Sequence, residues 1–188
     1  MTFEPTSISG AFVVGVERHR DERGFFARTW CRDEFAAHGV EGDMVQASVS
    51  HNHHTGTLRG MHFTWRPSKE AKLVRCEAGR VHDVTVDLRP ESPTYLRRVA
   101  LTLDSREHTA LYIPQGVAHG FQTLMDDSVV LYLMSDIYRP ALAAGVRFDD
   151  PALGIEWPVP VTVVAERDRG YADFDPASHL LQYSAAAA

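Results

Sequence analysis

The most constraining feature of the sequence is a succession of short β-type segments divided by turns. In Arg80–Leu88, valines and a leucine alternate with Asp83, Thr85 and Asp87, and this period of two places unlike residues on the two faces of a strand. Similar segments are Met44–Ser50, Thr57–Thr64, Ala71–Glu77, Tyr95–Leu103, Thr109–Ile113, Phe121–Leu124 and Ser128–Tyr138. Strands at intervals of about 8–12 residues predict a sandwich or barrel rather than βαβ units.

Turns and a few short helices separate these segments. Glu77–Arg80 predicts a tight hairpin, and Arg89–Pro93 and Met125–Ser128 predict further turns. Helix is predicted only over Arg32–His38, which Gly39 ends, and from Asp175 to Leu181.

The composition is that of one globular domain over residues 1–188, with 44% hydrophobic and 23% charged residues. A net charge of −6 argues against non-specific nucleic-acid binding, so an anionic ligand would need a local basic cluster. Cys31 and Cys76 are expected to be reduced thiols. The chain shows neither a signal peptide nor an apolar run of about 20 residues, and we expect a cytoplasmic protein with no membrane partner.

A first chemical cluster is the segment Leu58–Thr64. Strict alternation would place Arg59 on one face and Gly60 and His62 on the other. Gly60 leaves room for a ligand to approach the backbone. Taken alone, His62 is compatible with a structural role or with chemistry.

A second cluster, Ile113–Phe121, contains Pro-x-Gly-x-x-His, a turn that delivers His119 at the start of a strand. This pattern resembles the second half of the cupin signature. In that small double-stranded barrel, such a histidine usually binds a metal.

A metal site is nevertheless not predicted. Thr64 stands where a metal cupin would have a second histidine, and Lys72 lies near the expected carboxylate, where an ammonium repels a divalent cation. Lys72 itself is either a solvated edge residue or a buried one with a function. The tract His51–His54 has no carboxylate at a suitable spacing, so it is interpreted as a surface loop.

Several motifs together resemble the dTDP-4-dehydrorhamnose 3,5-epimerase family. They occur in the family's order over about residues 10–170: Asp21–Phe26, Leu58–Phe63, Lys72–Arg75, Val84–Arg89, Ser92–Thr94, Ile113–Phe121, Leu131–Tyr132, Asp149–Pro151 and Ile155–Pro158. The resemblance implies an all-β, cupin-type double-stranded β-helix (jelly-roll) barrel with a few short peripheral helices. It also implies a metal-free, cofactor-independent homodimer that acts on nucleotide-linked 4-keto-6-deoxyhexoses.

The resemblance further implies four catalytic residues. His62 is the base that removes a hydrogen next to the ketone, and Asp168 is the carboxylate that orients it. Lys72 stabilises the enolate, and Tyr132 is the acid that returns a proton from the opposite face.

The expected substrate-binding residues come from several parts of the chain. Arg59 and His119 contact the diphosphate or sugar, Gln46 lies near the diphosphate, and Tyr138 stacks on the base. Arg23, with Phe26 and Arg28 in the same motif, belongs to an N-terminal segment (about residues 1–45) at the dimer interface. Residues 159–188 form a C-terminal extension.

Some positions depart from the family pattern. Arg28 replaces a glutamate, Ala47-Ser48 follows Gln46, and Phe63-Thr64 follows His62. These changes leave open a CDP-, GDP- or UDP-linked substrate in place of a dTDP-linked one, and inversion at C3, at C5 or at both. Two alternative functions also stay open: a metal-dependent cupin isomerase or oxygenase, and a non-catalytic sugar-nucleotide-binding cupin.

Overall fold

A computed structural model of the chain describes residues 1–40 and 43–185. In chain order its strands are β1 (Thr2–Pro5), β2 (Phe12–Gly15), β3 (His19–Asp21), β4 (Gly24–Phe26), β5 (Gln46–Asn52), β6 (Thr57–Thr64), β7 (Lys72–Ala78), β8 (Arg80–Asp87), β9 (Arg98–Asp104), β10 (Ala110–Ile113), β11 (Val117–Thr123), β12 (Ser128–Met134), β13 (Ala143–Gly145) and β14 (Val163–Val164). Its helices are α1 (Arg32–Ala37), α2 (Glu166–Arg169) and α3 (Pro176–Ala185), with a 3₁₀ turn at Pro140–Leu142. Within these described ranges, no helix has the length and apolar character needed to cross a membrane.

Two sheets form the body of the fold. The first has the spatial order β1-β2-β10-β7-β12-β5. The second has the order β13-β6-β11-β8-β9, and β14 joins it parallel to β6. β3 and β4 pair with each other as an exposed hairpin. This double-sheet arrangement with short peripheral helices confirms the predicted all-β jelly roll.

The main hydrophobic core lies between the two sheets. Val74 and Val130 of the first sheet pack in one cluster with Val81, Leu103 and Phe121 of the second, and all five are fully buried. Burying such a side chain contributes roughly 1.5–3 kcal/mol, so this contact holds the two sheets face to face.

Both faces of β8 are buried, and the polar face is the one turned inward. The carboxylate of Asp83 is hydrogen-bonded in the space between the sheets. The opposite face, with Val84 and Val86, packs against the later part of the chain through Val146 and Phe174. The alternation predicted from sequence is therefore correct, and the C-terminal segment covers the apolar face.

Predicted strand boundaries agree for β6 and differ elsewhere by a few residues. The predicted strand Phe121–Leu124 already begins at Val117, because pairing with β8 extends across the glycine-rich turn that sequence alone disfavours. The predicted strand Tyr95–Leu103 begins only at Arg98, since Leu96 adopts a left-handed conformation at φ 62°. Sequence reasoning did not locate α2.

The predicted hairpin at Glu77–Arg80 is wrong. β7 and β8 follow each other in the chain, but β7 belongs to the first sheet and β8 to the second. Gly79 is therefore a corner between sheets. Its φ is +74°, and an added Cβ would lie 2.5 Å from the Ser128 hydroxyl oxygen. A corner and a hairpin both need a tight glycine turn, so the local sequence does not distinguish them.

A bulge in β6 corrects the predicted orientation of Arg59. His62 pairs with His119 and Arg59 pairs with Phe121, so three steps on β6 face two steps on β11. The extra residue restarts the alternation, and Arg59 and His62 both line the same cavity. Gly60 lies at the bulge with φ +134°, packed against the backbone of β11.

The bulge yields a stability prediction. Gly60 has a φ of +134°, and an alanine Cβ at this position would collide with the backbone of Gly120. Gly24 has a similar φ of +129°, but a Cβ added there would have no atom of the described residues within 4 Å beyond its two chain neighbours. We expect Gly60→Ala to lower the free energy of unfolding by about 3–5 kcal/mol, and the control Gly24→Ala by about 1–2 kcal/mol. Urea denaturation measures both, and equal losses would contradict the close contact at Gly60.

Candidate active site

A cavity of about 700 Å³ lies between the two sheets and the segment that carries α2. Eight of the eleven predicted site residues line it: Gln46, Arg59, His62, Lys72, His119, Tyr132, Tyr138 and Asp168. They come from β5, β6, β7, β11, β12, the segment after β12, and α2, so the fold brings together residues that are far apart in sequence.

The side chains of His62 and Asp168 form a hydrogen-bonded pair. The imidazole Nε2–H donates to the Asp168 carboxylate over 2.8 Å, and the Gly60 N–H donates to its other oxygen over 3.1 Å. Burial acts to raise the pKa of Asp168, but the hydrogen bonds from His62 and Gly60 outweigh it and lower that pKa. The carboxylate is therefore ionised at neutral pH and holds the imidazole with Nδ1 as its free nitrogen.

The exposure of this pair is unequal. The side chain of His62 is 33% exposed, whereas that of Asp168 is 3% exposed. Arg167 adds a cation beside the pair, with its Nη2 3.1 Å from His62 Nε2 and its Nε 3.4 Å from the Asp168 carboxylate. The imidazole is therefore the more accessible member of the pair, and Arg167 lines the cavity beside it.

Lys72 is buried and paired. Its Nζ lies 2.6 Å from a carboxylate oxygen of Glu70, and both side chains are largely shielded from solvent. Of the two interpretations left open from sequence, the solvated edge lysine is therefore excluded. Since a lone buried charge is costly, Glu70 explains how an ammonium is held in the cavity wall.

Tyr132 is a partly buried phenol on the opposite sheet from His62. Burial raises its pKa above the ordinary value, the nearby carboxylate of Asp83 raises it further, and Arg59 opposes the shift. The hydroxyl is therefore protonated over the whole neutral range and available as a donor. His62 belongs to the second sheet and Tyr132 to the first, so an imidazole and a phenol line the cavity from two different sheets.

A second histidine–carboxylate pair lies deeper in the cavity. His119 Nε2–H donates to Asp83 over 2.8 Å, and both side chains are almost fully buried. The other carboxylate oxygen of Asp83 has no hydrogen-bond partner among the described residues. The ring of His119 contacts that of Tyr132 edge to face, with centroids 5.8 Å apart.

The remaining cavity residues form its rim. Arg59 Nε donates to the Asn52 side-chain oxygen over 2.7 Å, which fixes the guanidinium at the entrance. The Gln46 side-chain oxygen accepts the Tyr138 N–H over 3.1 Å. The ring of Tyr138 is half exposed and borders the opening.

Three predicted residues lie outside this cavity in the single chain. Arg23 is in the β3–β4 turn, where it pairs with Asp21 and its side chain is 85% exposed. Phe26 ends β4 and is 76% exposed. Arg28 pairs with Glu34 at 2.8 Å. Their proposed part in substrate binding stays a prediction.

Sequence reasoning did not assign a role to Glu70, Asp83, Arg167 or Tyr171, which all surround the predicted residues. Glu70 precedes Lys72 by two positions and lies just before β7 begins, so its closeness in sequence is the one local signal for this pair. Asp83 was recognised only as part of a polar face. Tyr171, whose ring lies edge to face with that of His62 at 6.4 Å, follows Asp168 by three residues and gives no local signal.

The structure also corrects the interpretation of the His51–His54 tract. His51 lies in β5 rather than in a loop, and a carboxylate from a distant turn, that of Asp127, stands beside His51 and His53. This group is outside the cavity. Within residues 1–40 and 43–185, it is the one set of three histidine, cysteine or acidic side chains whose ligand atoms are close enough to share an ion.

Comparison with known proteins places this geometry in a family. Residues 5–175 match the family model described as dTDP-4-dehydrorhamnose 3,5-epimerase. A protein of that name from Mycolicibacterium smegmatis is 42% identical, with 89% of this chain and 83% of the relative covered. A dTDP-4-dehydrorhamnose 3-epimerase from Streptomyces niveus is 38% identical over 90% of this chain and 82% of its own.

A solved structure of this family has a closely similar fold. The crystal structure of dTDP-4-dehydrorhamnose 3,5-epimerase from Elizabethkingia anophelis superposes with a TM-score of 0.89 at 32% identity, covering 93% of this chain and 96% of that one. Similarity of sequence and of fold therefore extends over nearly the whole chain. The protein is accordingly an epimerase, and it belongs to the dTDP-4-dehydrorhamnose 3,5-epimerase family.

Proposed function

We propose that this protein is a cofactor-independent epimerase that inverts C3, C5 or both in a dTDP-linked 4-keto-6-deoxyhexose. The names of the relatives support the dTDP-linked substrate. The observation that carries the mechanism is the placement of His62 and Tyr132 on opposing sheets around one cavity. Inversion of a carbon requires a base on one side of the sugar ring and an acid on the other.

In this mechanism His62 removes the proton. The hydrogens on C3 and C5 are each next to the C4 ketone, so the electron pair left by either one moves into an enolate. Nδ1 of His62 accepts the proton, and the ionised Asp168, 2.8 Å from Nε2, stabilises the imidazolium that forms.

Lys72 stabilises the enolate oxygen. Its ammonium is fixed by Glu70 at 2.6 Å and is shielded from water, so it is oriented before the reaction begins. A preoriented cation at the developing charge lowers the barrier more than a solvated one, because no solvent has to reorganise. Tyr132 then donates its proton to the carbon from the opposite side. The His62 imidazolium releases its proton to solvent and the phenolate regains one from solvent, so both groups return to their starting states.

The rim and a second subunit bind the nucleotide. Arg59 is suited to the diphosphate because a guanidinium contacts oxyanions in a bidentate manner, and His119, Gln46 and Tyr138 complete the wall nearby. Arg59, with Lys72 and Arg167 in the same cavity, supplies the local positive charge that an anionic substrate needs against the net charge of −6. We further propose a cytoplasmic homodimer in which the exposed hairpin of one subunit, with Arg23, Phe26 and Arg28, reaches the cavity of its partner.

His62→Ala tests the base. We expect the washout of substrate C3 or C5 hydrogen into D₂O to fall by about 10²–10⁴-fold, because general base catalysis is lost. The control His54→Ala removes an exposed imidazole outside the cavity and should retain full exchange. NMR of the dTDP-linked ketosugar, generated in situ, measures the rate, and full exchange in His62→Ala would exclude this residue as the base.

Tyr132→Phe separates the two halves of the reaction. We expect hydrogen exchange at the carbon to persist through His62, while inversion falls by about 10²-fold or more because the opposing proton donor is gone. The control Tyr112→Phe removes a buried phenol outside the cavity and should keep exchange and inversion coupled. Deuterium incorporation reports exchange, and the configuration of the product reports inversion. An equal loss of exchange and inversion in Tyr132→Phe would contradict a role for Tyr132 as the proton donor alone.

Arg23→Ala tests the contribution of the second subunit. We expect KM to rise about tenfold or more with little change in kcat, since a binding contact is lost and the reacting groups stay. The control Arg106→Ala is closely matched: Arg106 pairs with the aspartate two positions before it at 2.6 Å, as Arg23 does, and is equally exposed. Size-exclusion chromatography accompanies the kinetics, and a fully active monomer would refute the shared site.

A further inference from the structure

We propose that His51, His53 and Asp127 form a binding site for a late first-row divalent cation, with Zn²⁺ as the preferred ion, outside the catalytic cavity. The three residues meet where the end of β5 lies beside the turn between β11 and β12. None of them has a part in the proposed epimerase mechanism, so the site is independent of that proposal.

The separations between the ligand atoms fit one small ion. The Asp127 carboxylate oxygen lies 3.7 Å from His51 Nε2 and 3.6 Å from His53 Nδ1, and all three atoms lie within 4.8 Å of one another. With metal–ligand distances of about 2.0–2.2 Å, neighbouring ligands of a tetrahedral ion are roughly 3.3–3.6 Å apart. Small side-chain rotations are therefore sufficient to bring the three atoms into coordination.

The backbone that carries these ligands is already tied together. β5 pairs with β12 at His51 and Val129, and the Asp127 N–H donates to the His53 carbonyl over 3.3 Å. The neighbouring carboxylate of Asp126 accepts the Thr55 N–H over 2.6 Å. Because both loops are held in place, binding an ion orders only the side chains, which keeps its entropic cost small.

The donor set selects the class of ion. Two imidazoles and one carboxylate are the usual protein ligands of zinc, whereas Mg²⁺ and Ca²⁺ prefer oxygen donors throughout. All three residues are exposed, so water can fill the fourth position. The ion would cross-link the end of β5 to the β11–β12 turn. The bound ion would lie near Arg59 at the cavity rim, because Arg59 Nη2 is 3.5 Å from the carbonyl oxygen of His51.

Zinc binding to the untagged, chelator-treated full-length protein tests the site. By titration calorimetry we expect one Zn²⁺ per chain with a Kd of about 10 μM or tighter, and no comparable binding of Mg²⁺. At Zn²⁺ concentrations about a hundredfold above Kd, we expect Tm to rise by roughly 5–10 °C. Hydrogen exchange of the substrate should be the same with and without chelator.

Variants assign the ligands. Asp127 has a left-handed backbone with φ 52°, which asparagine tolerates, so Asp127→Asn removes the charge with little effect on the turn. We expect Asp127→Asn to weaken Zn²⁺ binding at least about tenfold and the His51→Ala/His53→Ala double variant to abolish it. His54→Ala, the matched neighbour, should bind as the unaltered protein does.

Three results would overturn the proposal. They are the absence of Zn²⁺ binding in the unaltered protein, undiminished Zn²⁺ binding in the His51→Ala/His53→Ala variant, and a loss of Zn²⁺ affinity in His54→Ala as large as that in Asp127→Asn. Chelator-sensitive exchange activity that disappears in the His51→Ala/His53→Ala variant would contradict the separation of this site from catalysis. Loss of activity in His62→Ala has no bearing on zinc affinity, so the two proposals are tested apart.

Discussion

The hydrogen bond between His62 and Asp168 is the interaction on which the site depends. It joins β6 to α2 across 106 positions of the chain, and the Gly60 N–H binds the same carboxylate. The bulge at Gly60 both supplies that N–H and turns His62 into the cavity beside Arg59. A local irregularity of one strand therefore sets the orientation of the imidazole, and the segment that carries α2 completes the pair by supplying the carboxylate.

Beside its hydrophobic core, the space between the sheets holds buried charged groups that are paired with each other. Lys72 lies against Glu70, and His119 lies against Asp83. The inward face of β8 carries Asp83 together with Val81, whereas Val84 and Val86 are buried on the opposite face, under the C-terminal segment. Burying these charged groups costs desolvation energy, which the pairing offsets. The result is a cavity with acidic and basic groups on facing sheets.

The sequence predicted most of the strands and eight residues that line the cavity, because alternation and the family motifs are local properties. Its errors occur where a residue depends on a distant neighbour. Arg59 was placed opposite His62 because the bulge is visible only against β11. Glu77–Arg80 was interpreted as a hairpin because a corner between sheets uses the same turn residues. No carboxylate is close in sequence to the His51–His54 tract, since Asp127 follows it by more than seventy positions.

By itself, the sequence determined the period of the strands, the residue types available for proton transfer and, through its resemblance to a known family, their expected roles. Only the tertiary structure decided which of these groups meet. The burial of Lys72, the raised pKa of Tyr132 and the orientation of His62 all depend on how the folded chain packs around them. The physical reason is that charge stabilisation and pKa shifts act over a few ångströms of space, and a strand pattern does not record which strands lie side by side.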